Sequence, residues 1–411
     1  MGRAMVRIIY REIAGGAAFW GPLAGLGLLI LVGLYSAWYM EHYGHIVTGM
    51  GNRIVWGIPH VFAIFLIVAA SGVLNVASIG SVFGRVPYKP MARLSGLLAI
   101  ALLTGGLTVL VLDLGRPDRL IVAMTTYNFK SIFAWNIFLY TGFLVIVAAY
   151  LFVLMERQMS PYSKPVGWFA LIWRLVLTSG TGSIFGWLVA RQAYDAAIMA
   201  PLFIALSLSL GLAVFILVVW TICRWEGREL GSGLLSRLGR LLGIFAGVVL
   251  YFTAIQHLTN LYSAEHWGVE AFLLWDGGVY PGLFWLVQVL LGGLLPIALV
   301  FHPKTASKPG AIVSAASLVI LGGLAQLYVI IIGGQAYPLV MFPGMEVHSV
   351  FQDGVIASYA PSLPEFGLGI GGVALALAIT LVGMKILRFV PQSLADKTVD
   401  PPPAAAEAKA A

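Results

Sequence analysis

Apolar residues in this chain neither alternate nor keep to one face. They come in ten runs of about 20 residues or more, near 18–38, 54–81, 91–112, 131–155, 166–190, 199–222, 238–263, 280–301, 311–333 and 366–390. A helix that is apolar all round has no polar face to offer water. At about 1.5 Å of rise per residue each run can cross the roughly 30 Å hydrocarbon layer. The alternation of a membrane barrel is absent, and in lipid each backbone group must be satisfied within its own segment. The pattern predicts an all-α polytopic membrane protein with ten transmembrane helices. The first run is too long and its flanks too bulky for a cleaved signal peptide, so it reads as a retained helix.

Charge sets the expected orientation. With the amino terminus inside, the cytoplasmic segments hold 18 of the 24 Lys and Arg residues, the opposite side holds five, and Arg174 lies within a span. That asymmetry over short loops is the positive-inside signal. It places both termini in the cytoplasm of a multi-pass inner-membrane protein. The net charge of +7 is therefore a topology determinant, and no nucleic-acid partner is expected. Composition agrees, with 60% hydrophobic residues and a mean hydropathy of +0.94. The single cysteine, Cys223, can build neither an internal disulfide nor an iron–sulfur cluster. Any cluster must then sit in a partner.

A short echo suggests the internal organisation. The fifth run ends in Gln192-Ala193-Tyr194 and the ninth in Gln335-Ala336-Tyr337. Four spans separate them, as two parallel four-helix bundles with two flanking helices would require. The expected segments are 1–53 (cytoplasmic start, first helix and first outer loop), 54–198 (first bundle), 199–333 (second bundle), 334–365 (outer loop), 366–390 (last helix) and 391–411 (disordered tail). The outer stretches 264–279 and 334–365 carry acids, histidines and aromatics but no Lys or Arg. They suit either an interfacial aromatic belt or a docking platform.

Polar side chains at bilayer depth are costly and usually face a bundle interior or cavity. The second run opens WGIPHVF, which puts His60 one or two turns below the outer boundary, just after Pro59. The third run ends LDLGRPDRL, crowding Asp113, Arg116, Asp118 and Arg119 into seven residues. A carboxylate at a helix C-terminus opposes the helix dipole, so Asp113 is expected to need Arg116, Arg119 or another donor. The run SGTGS (Ser179 to Ser183) brings hydroxyls and close backbone approach, and Gln256, His257 and Asn260 lie toward the outer end of the seventh run. Arg174 is expected to meet Asn75, Ser78 or water. Polar groups from several helices at one depth suit a lipid-soluble carrier with carbonyls at one end. His60 can exchange protons near neutral pH, and Asp113 can relay them.

The segments WGIPHVFAIFLIVAASGVLNVAS, LDLGRPDRL and LTSGTGSIFGWLVARQAYD resemble the NrfD/PsrC family of quinone-interacting membrane subunits. Within it they are most similar to the DsrP branch, found in DsrMKJOP complexes of sulfur metabolism. The resemblance implies a subunit without its own redox cofactor and with a quinone site in the first bundle, for menaquinone or ubiquinone. It also implies a ferredoxin-like iron–sulfur partner on the outer, periplasmic side, alongside other membrane and cytochrome subunits. Carried over, His60 and Asp113 are the catalytic pair, with Trp56, Arg116, Ser179 and Thr181 completing the headgroup site. Two positions depart from the family pattern. SGTG stands where a quinone-binding tyrosine is expected, and Gly57 replaces an asparagine.

Two other classes remain open. His60 and His257 are candidate axial ligands of a b-type haem, although so few membrane histidines make haem unexpected. Alternatively, Arg174, Asn75 and Gln256 mark the path of a proton- or ion-translocating transporter.

Overall fold

The structure, a computed structural model, describes residues 8–339, 345 and 354–400. Among the described residues ten helices are long and apolar enough to span a membrane. They are α1 (Ala17–Tyr43), α2 (Ile58–Ser81), α3 (Ala92–Leu112), α4 (Ile132–Met155) and α5 (Ser163–Gly186). The others are α6 (Met199–Trp225), α7 (Ser232–Tyr262), α8 (Val279–Phe301), α9 (Pro309–Ala336) and α10 (Leu363–Ile386). The expected all-α polytopic architecture is the one observed. Proline opens α2, α9 and α10, where its missing N–H would lack a helical partner anyway. Ser362 and Glu365 add a capping box at the start of α10.

Helix α2 is the centre of the molecule. Its apolar window is 83% buried, against 11% for α1 at the periphery. It packs on α3 and α6, while α10 lies along α1 and α3. Glycine makes the tightest crossings possible. A Cβ on Gly72 of α2 would overlap the Ser207 carbonyl oxygen of α6, and one on Gly211 would overlap the Gly72 backbone. Between α1 and α10, a Cβ on Gly33 would lie 2.8 Å from Gly371 Cα. Small residues at such crossings let backbones touch and gain dispersion contacts that lipid cannot supply.

Both described chain ends meet at one end of the bundle, beside the α6–α7 turn. Tyr10–Arg11 pairs antiparallel with Val390–Pro391. Arg228 donates to the carbonyls of Glu12 (2.8 Å), Val390 (3.1 Å) and Pro391 (3.1 Å). Asp396 accepts the N–H groups of Gly233 and Leu234, each at 2.9 Å, at the start of α7. Residues 391–400, read from composition as tail, are thus packed, with Val399 only 1% exposed. The remainder of that stretch, 401–411, lies outside the described residues, as do 340–344 and 346–353 of the expected docking loop.

At the opposite end, 264–279 is mostly wound into a short helix (Trp267–Ala271) and a π-helical turn (Phe272–Asp276). Helix α8 is itself π-helical over Leu283–Leu294, and α9 over Val329–Gly333.

Candidate functional site

The site forms at the end of the bundle away from the chain termini, where α2 starts and α3 stops. Pro59 and Gly57 let α2 begin abruptly, so His60 lies in its first turn with 21% of its side chain exposed. Asp113 caps α3, its N–H still bonded to Val109 O at 3.1 Å. Gly115 then turns the chain at φ 68°, a left-handed conformation that favours glycine. The Asp113 carboxylate is thereby held inward, 1% exposed, between two imidazoles. Its Oδ2 is 3.1 Å from His60 Nδ1, and its Oδ1 is 3.6 Å from His45 Nε2.

His45 comes from a short 3-10 turn after α1 (His45–Val47), and no sequence pattern singled it out. Burial raises the proton affinity of Asp113, but the two histidines outweigh it and hold its pKa below the ordinary carboxylate value. The same carboxylate raises the pKa of His45, with Glu41 adding a smaller push. Both Asp113 oxygens, His60 Nδ1 and His45 Nε2 are buried without a well-directed hydrogen bond. Such orphaned polar atoms are rare in a folded interior and mark strain or a function.

Trp56 forms the adjoining wall. Its ring lies 6.2 Å from His60, stacks on Tyr194 at 6.2 Å, and meets Phe185 and Phe133 edge-on at 5.9 and 6.1 Å. The segment carrying Trp56 is not helical, so its backbone groups need other partners. Gln335 of α9 supplies them. Its Oε1 accepts the N–H groups of Val55 (2.9 Å) and Trp56 (3.1 Å), and its Nε2 donates to Trp56 O (3.0 Å) and Ile331 O (2.7 Å). Arg191 clamps the outside, donating to Gln335 O and Arg53 O at 2.8 and 2.9 Å. Tyr359 accepts the Ile58 N–H at 2.8 Å and donates to Glu365, which also accepts the Gly49 N–H at 2.9 Å. A cavity of about 520 Å³, lined by Arg53, Arg191, Gln335 and Ser358 among others, lies behind this segment.

The sequence expectations divide here. His60, Asp113 and Trp56 come together. Arg116 does not join them, because it is 66% exposed and forms a two-pronged pair with Asp118 at 3.1 Å. The groups facing Asp113 are two imidazoles, at 3.1 and 3.6 Å, the other partner that the expectation allowed besides Arg116 and Arg119. Among the described residues no hydrogen bond joins Ser179 or Thr181 to His60, Asp113 or Trp56. Thr181 bonds back to Leu177 O at 3.0 Å and meets Tyr140 Oη at 3.1 Å, as helical threonines commonly do. The small residues around it serve packing, since a Cβ on Gly182 would sit 2.6 Å from Met199 O of α6.

His257 belongs to a separate cluster. Its Nδ1 is 2.6 Å from Glu270, which also accepts from Asn260 at 2.7 Å. The two histidines weighed as a haem pair thus serve different carboxylates. Arg174 is buried and reaches the Ser71 carbonyl at 3.3 Å instead of Asn75 or Ser78. The residues that sequence reasoning missed are His45, Tyr359 and Glu365. Gln335 and Tyr194 were visible as an echo, but their meeting at Trp56 was not.

Comparison with known proteins identifies the family. The chain is 31% identical over 381 residues, 91% of its length and 94% of the relative's, to the Hdr-like menaquinol oxidoreductase integral membrane subunit of Archaeoglobus fulgidus. It is 27% identical over 401 residues, 89% of its length and 91% of the relative's, to a putative dimethyl sulfoxide reductase membrane subunit of Halobacterium salinarum. It is also 23% identical over 390 residues, 88% of its length and 89% of the relative's, to the menaquinone reductase integral membrane subunit of Nitratidesulfovibrio vulgaris. The model of the family described as polysulphide reductase, NrfD, matches residues 46–338, which span Trp56, His60, Asp113 and Gln335, and the chain belongs to that family.

Proposed function

We propose that this chain is the membrane subunit of a quinone-linked oxidoreductase and exchanges electrons between the membrane quinone pool and an iron–sulfur partner. The observation carrying this reading is the His60–Asp113 contact of 3.1 Å beside the Trp56 wall. A quinone headgroup needs an apolar surface for its ring and hydrogen-bonding groups at its oxygens. When bound, it supplies a two-electron, two-proton redox centre. Trp56 offers the ring surface. A His60 imidazole with Nδ1–H turned to Asp113 leaves Nε2 free to accept a hydroxyl proton or to donate one. His60 stays partly exposed at the start of α2, which keeps it within reach of a prenylated molecule arriving from lipid.

The named functions of the relatives favour menaquinone over ubiquinone. The positive-inside asymmetry puts the His60 end outside and both termini in the cytoplasm of the inner membrane. The chain has one cysteine and so cannot ligate an iron–sulfur cluster itself; the resemblance to the family favours a ferredoxin-like subunit docked at that outer end as the electron partner. The LDLGRP wording favours other membrane and cytochrome subunits of a DsrMKJOP-like assembly. Trp56 and the His60–Asp113 pair are the core of this reading; Arg116, paired with Asp118, and Ser179 and Thr181 carry less of it.

The test is quinol-dependent reduction of the partner's clusters in the complex purified through this chain. His60→Ala should lower the rate by about a hundredfold, the lower range for a lost acid–base group, with assembly retained. An unchanged rate would refute the site.

A further inference from the structure

His45 has no role in binding the headgroup as described, yet it is the group that gives Asp113 a second face. The carboxylate lies between two imidazoles, one oxygen toward each, at 3.1 and 3.6 Å. The two imidazoles differ in place. His60 belongs to a spanning helix, and His45 follows α1 beyond its last residue, Tyr43, with 31% of its side chain exposed. The Gly115 turn packs beside the ring, where a Cβ would come within ordinary contact distance, 3.4 Å, of His45 Cε1, and Thr48 Oγ1 donates to the His45 carbonyl at 2.6 Å, holding the short turn. The charged groups facing it are few. Asp113 approaches from the end of α3, Glu41 lies on the last turn of α1, and Arg116 on the α3 turn is neutralised by Asp118.

We infer that His45 is the proton outlet of the site, passing protons between Asp113 and water at the outer face so that they need not return through lipid. The inference rests on the quinone reading above and adds the route and its side. In quinol oxidation the hydroxyl proton goes to His60 Nε2 and the Nδ1 proton goes to Asp113 Oδ2. The carboxyl turns about its Cβ–Cγ bond to bring the protonated oxygen toward His45 and gives that proton to His45 Nε2; His45 releases one from Nδ1 to water, and a turn of each ring resets both imidazoles for the second proton. Run twice, this removes two protons while two electrons leave one at a time to the iron–sulfur partner. Quinone reduction runs the same chain backwards. The 3.6 Å gap to His45 closes by a small rotation of a ring on a short surface turn.

Only neutral His45 can accept a proton from Asp113. The oxidation rate should therefore rise with pH through a midpoint above the ordinary histidine value of about 6.5, because Asp113 raises the pKa of His45.

The experiment uses the purified complex, a reduced menaquinol analogue and the variants His45→Ala, His45→Gln and His60→Ala. His45→Ala should slow turnover about tenfold to a hundredfold with KM for the quinol unchanged. Added imidazole should restore the rate, and the rise with pH should disappear in both His45 variants. Glutamine keeps a polar side chain beside Asp113, so His45→Gln guards against simple misfolding. A wild-type rate and pH profile in both His45 variants would overturn the inference. So would a loss that imidazole cannot repair and that raises KM, the mark of a structural role. If His60→Ala is also silent, the quinone reading itself falls. If His60→Ala is inactive while the His45 variants are normal, only the outlet falls.

Discussion

Gln335→Ala tests whether α9 really holds the site wall. The wild-type amide is 2% exposed and makes four hydrogen bonds, three of them to the Val55–Trp56 backbone. A hydrogen bond contributes about 1 kcal/mol net, and a buried group left alone costs about 1–3 kcal/mol. The three lost bonds are unequal. Val55 is 51% exposed and the 520 Å³ cavity lies alongside, so water can replace its partner. Trp56 is half-buried under Tyr194 and Phe185, and its N–H and carbonyl have no such relief. The expected loss is about 2 kcal/mol, seen as an earlier midpoint in detergent-induced unfolding.

The functional consequence follows from the same geometry. Once Trp56 is free to move, the ring surface beside His60 is no longer fixed, and KM for the quinol should rise about tenfold, the equivalent of about 1.4 kcal/mol. Gln335→Glu keeps an acceptor for both N–H groups but sets a buried carboxylate oxygen against the Trp56 and Ile331 carbonyls, so its effect should be at least as large as that of alanine. An unfolding midpoint and a KM both unchanged in Gln335→Ala would refute the claim that this side chain positions the wall.

Other expectations follow from neighbouring contacts. Glu270→Ala strips His257 and Asn260 of their shared acceptor; each buried polar group left alone costs about 1–3 kcal/mol, and protease cleavage within 264–279 should accelerate while His60-dependent chemistry persists. Gly211→Val drives a branched side chain into the Gly72 backbone and should abolish accumulation of folded protein in the membrane, whereas Gly25→Val, at a position with open space around it, should not. The His45–Asp113 attraction has a definite pH sign. Because the folded-state pKa of His45 is raised, its contribution is full below about 6.5 and fades as pH climbs through the raised value. Asp113→Asn should flatten that decline in unfolding midpoint and return His45, followed by NMR, toward its ordinary value.

The spans were legible because lipid demands them. A run of about twenty apolar residues has one stable backbone solution in a bilayer, and prolines and glycines mark where it starts and stops. The π-helical stretch Leu283–Leu294 was not legible, since its composition matches that of an ordinary apolar helix. Nor was the packing of 391–400. Asp396 and Asp400 read as tail charges until Gly233, Leu234 and Arg237 come within reach from a helix distant in sequence.

The site shows the same boundary more sharply. His60 and Asp113 announce themselves because a titratable group near lipid is expensive enough to need a reason. His45 carries no such signal. It sits in the loop GHIVTGMGN, where histidine is unremarkable, and only the folding of α1 and α3 to one end turns it toward Asp113. Arg116 erred in the opposite direction. Close to Asp113 along the chain, it looked like the obvious counter-ion, yet the left-handed turn at Gly115 carries it away and gives it to Asp118. Adjacency along the chain favoured the arginine, and the backbone turn selected the histidine. Proximity in sequence is a poor guide wherever a helix ends, because one glycine there redirects every side chain that follows. The polar groups of this site are accordingly best read from which helix ends the fold brings together, and α1, α2 and α3 each contribute one titratable residue from theirs.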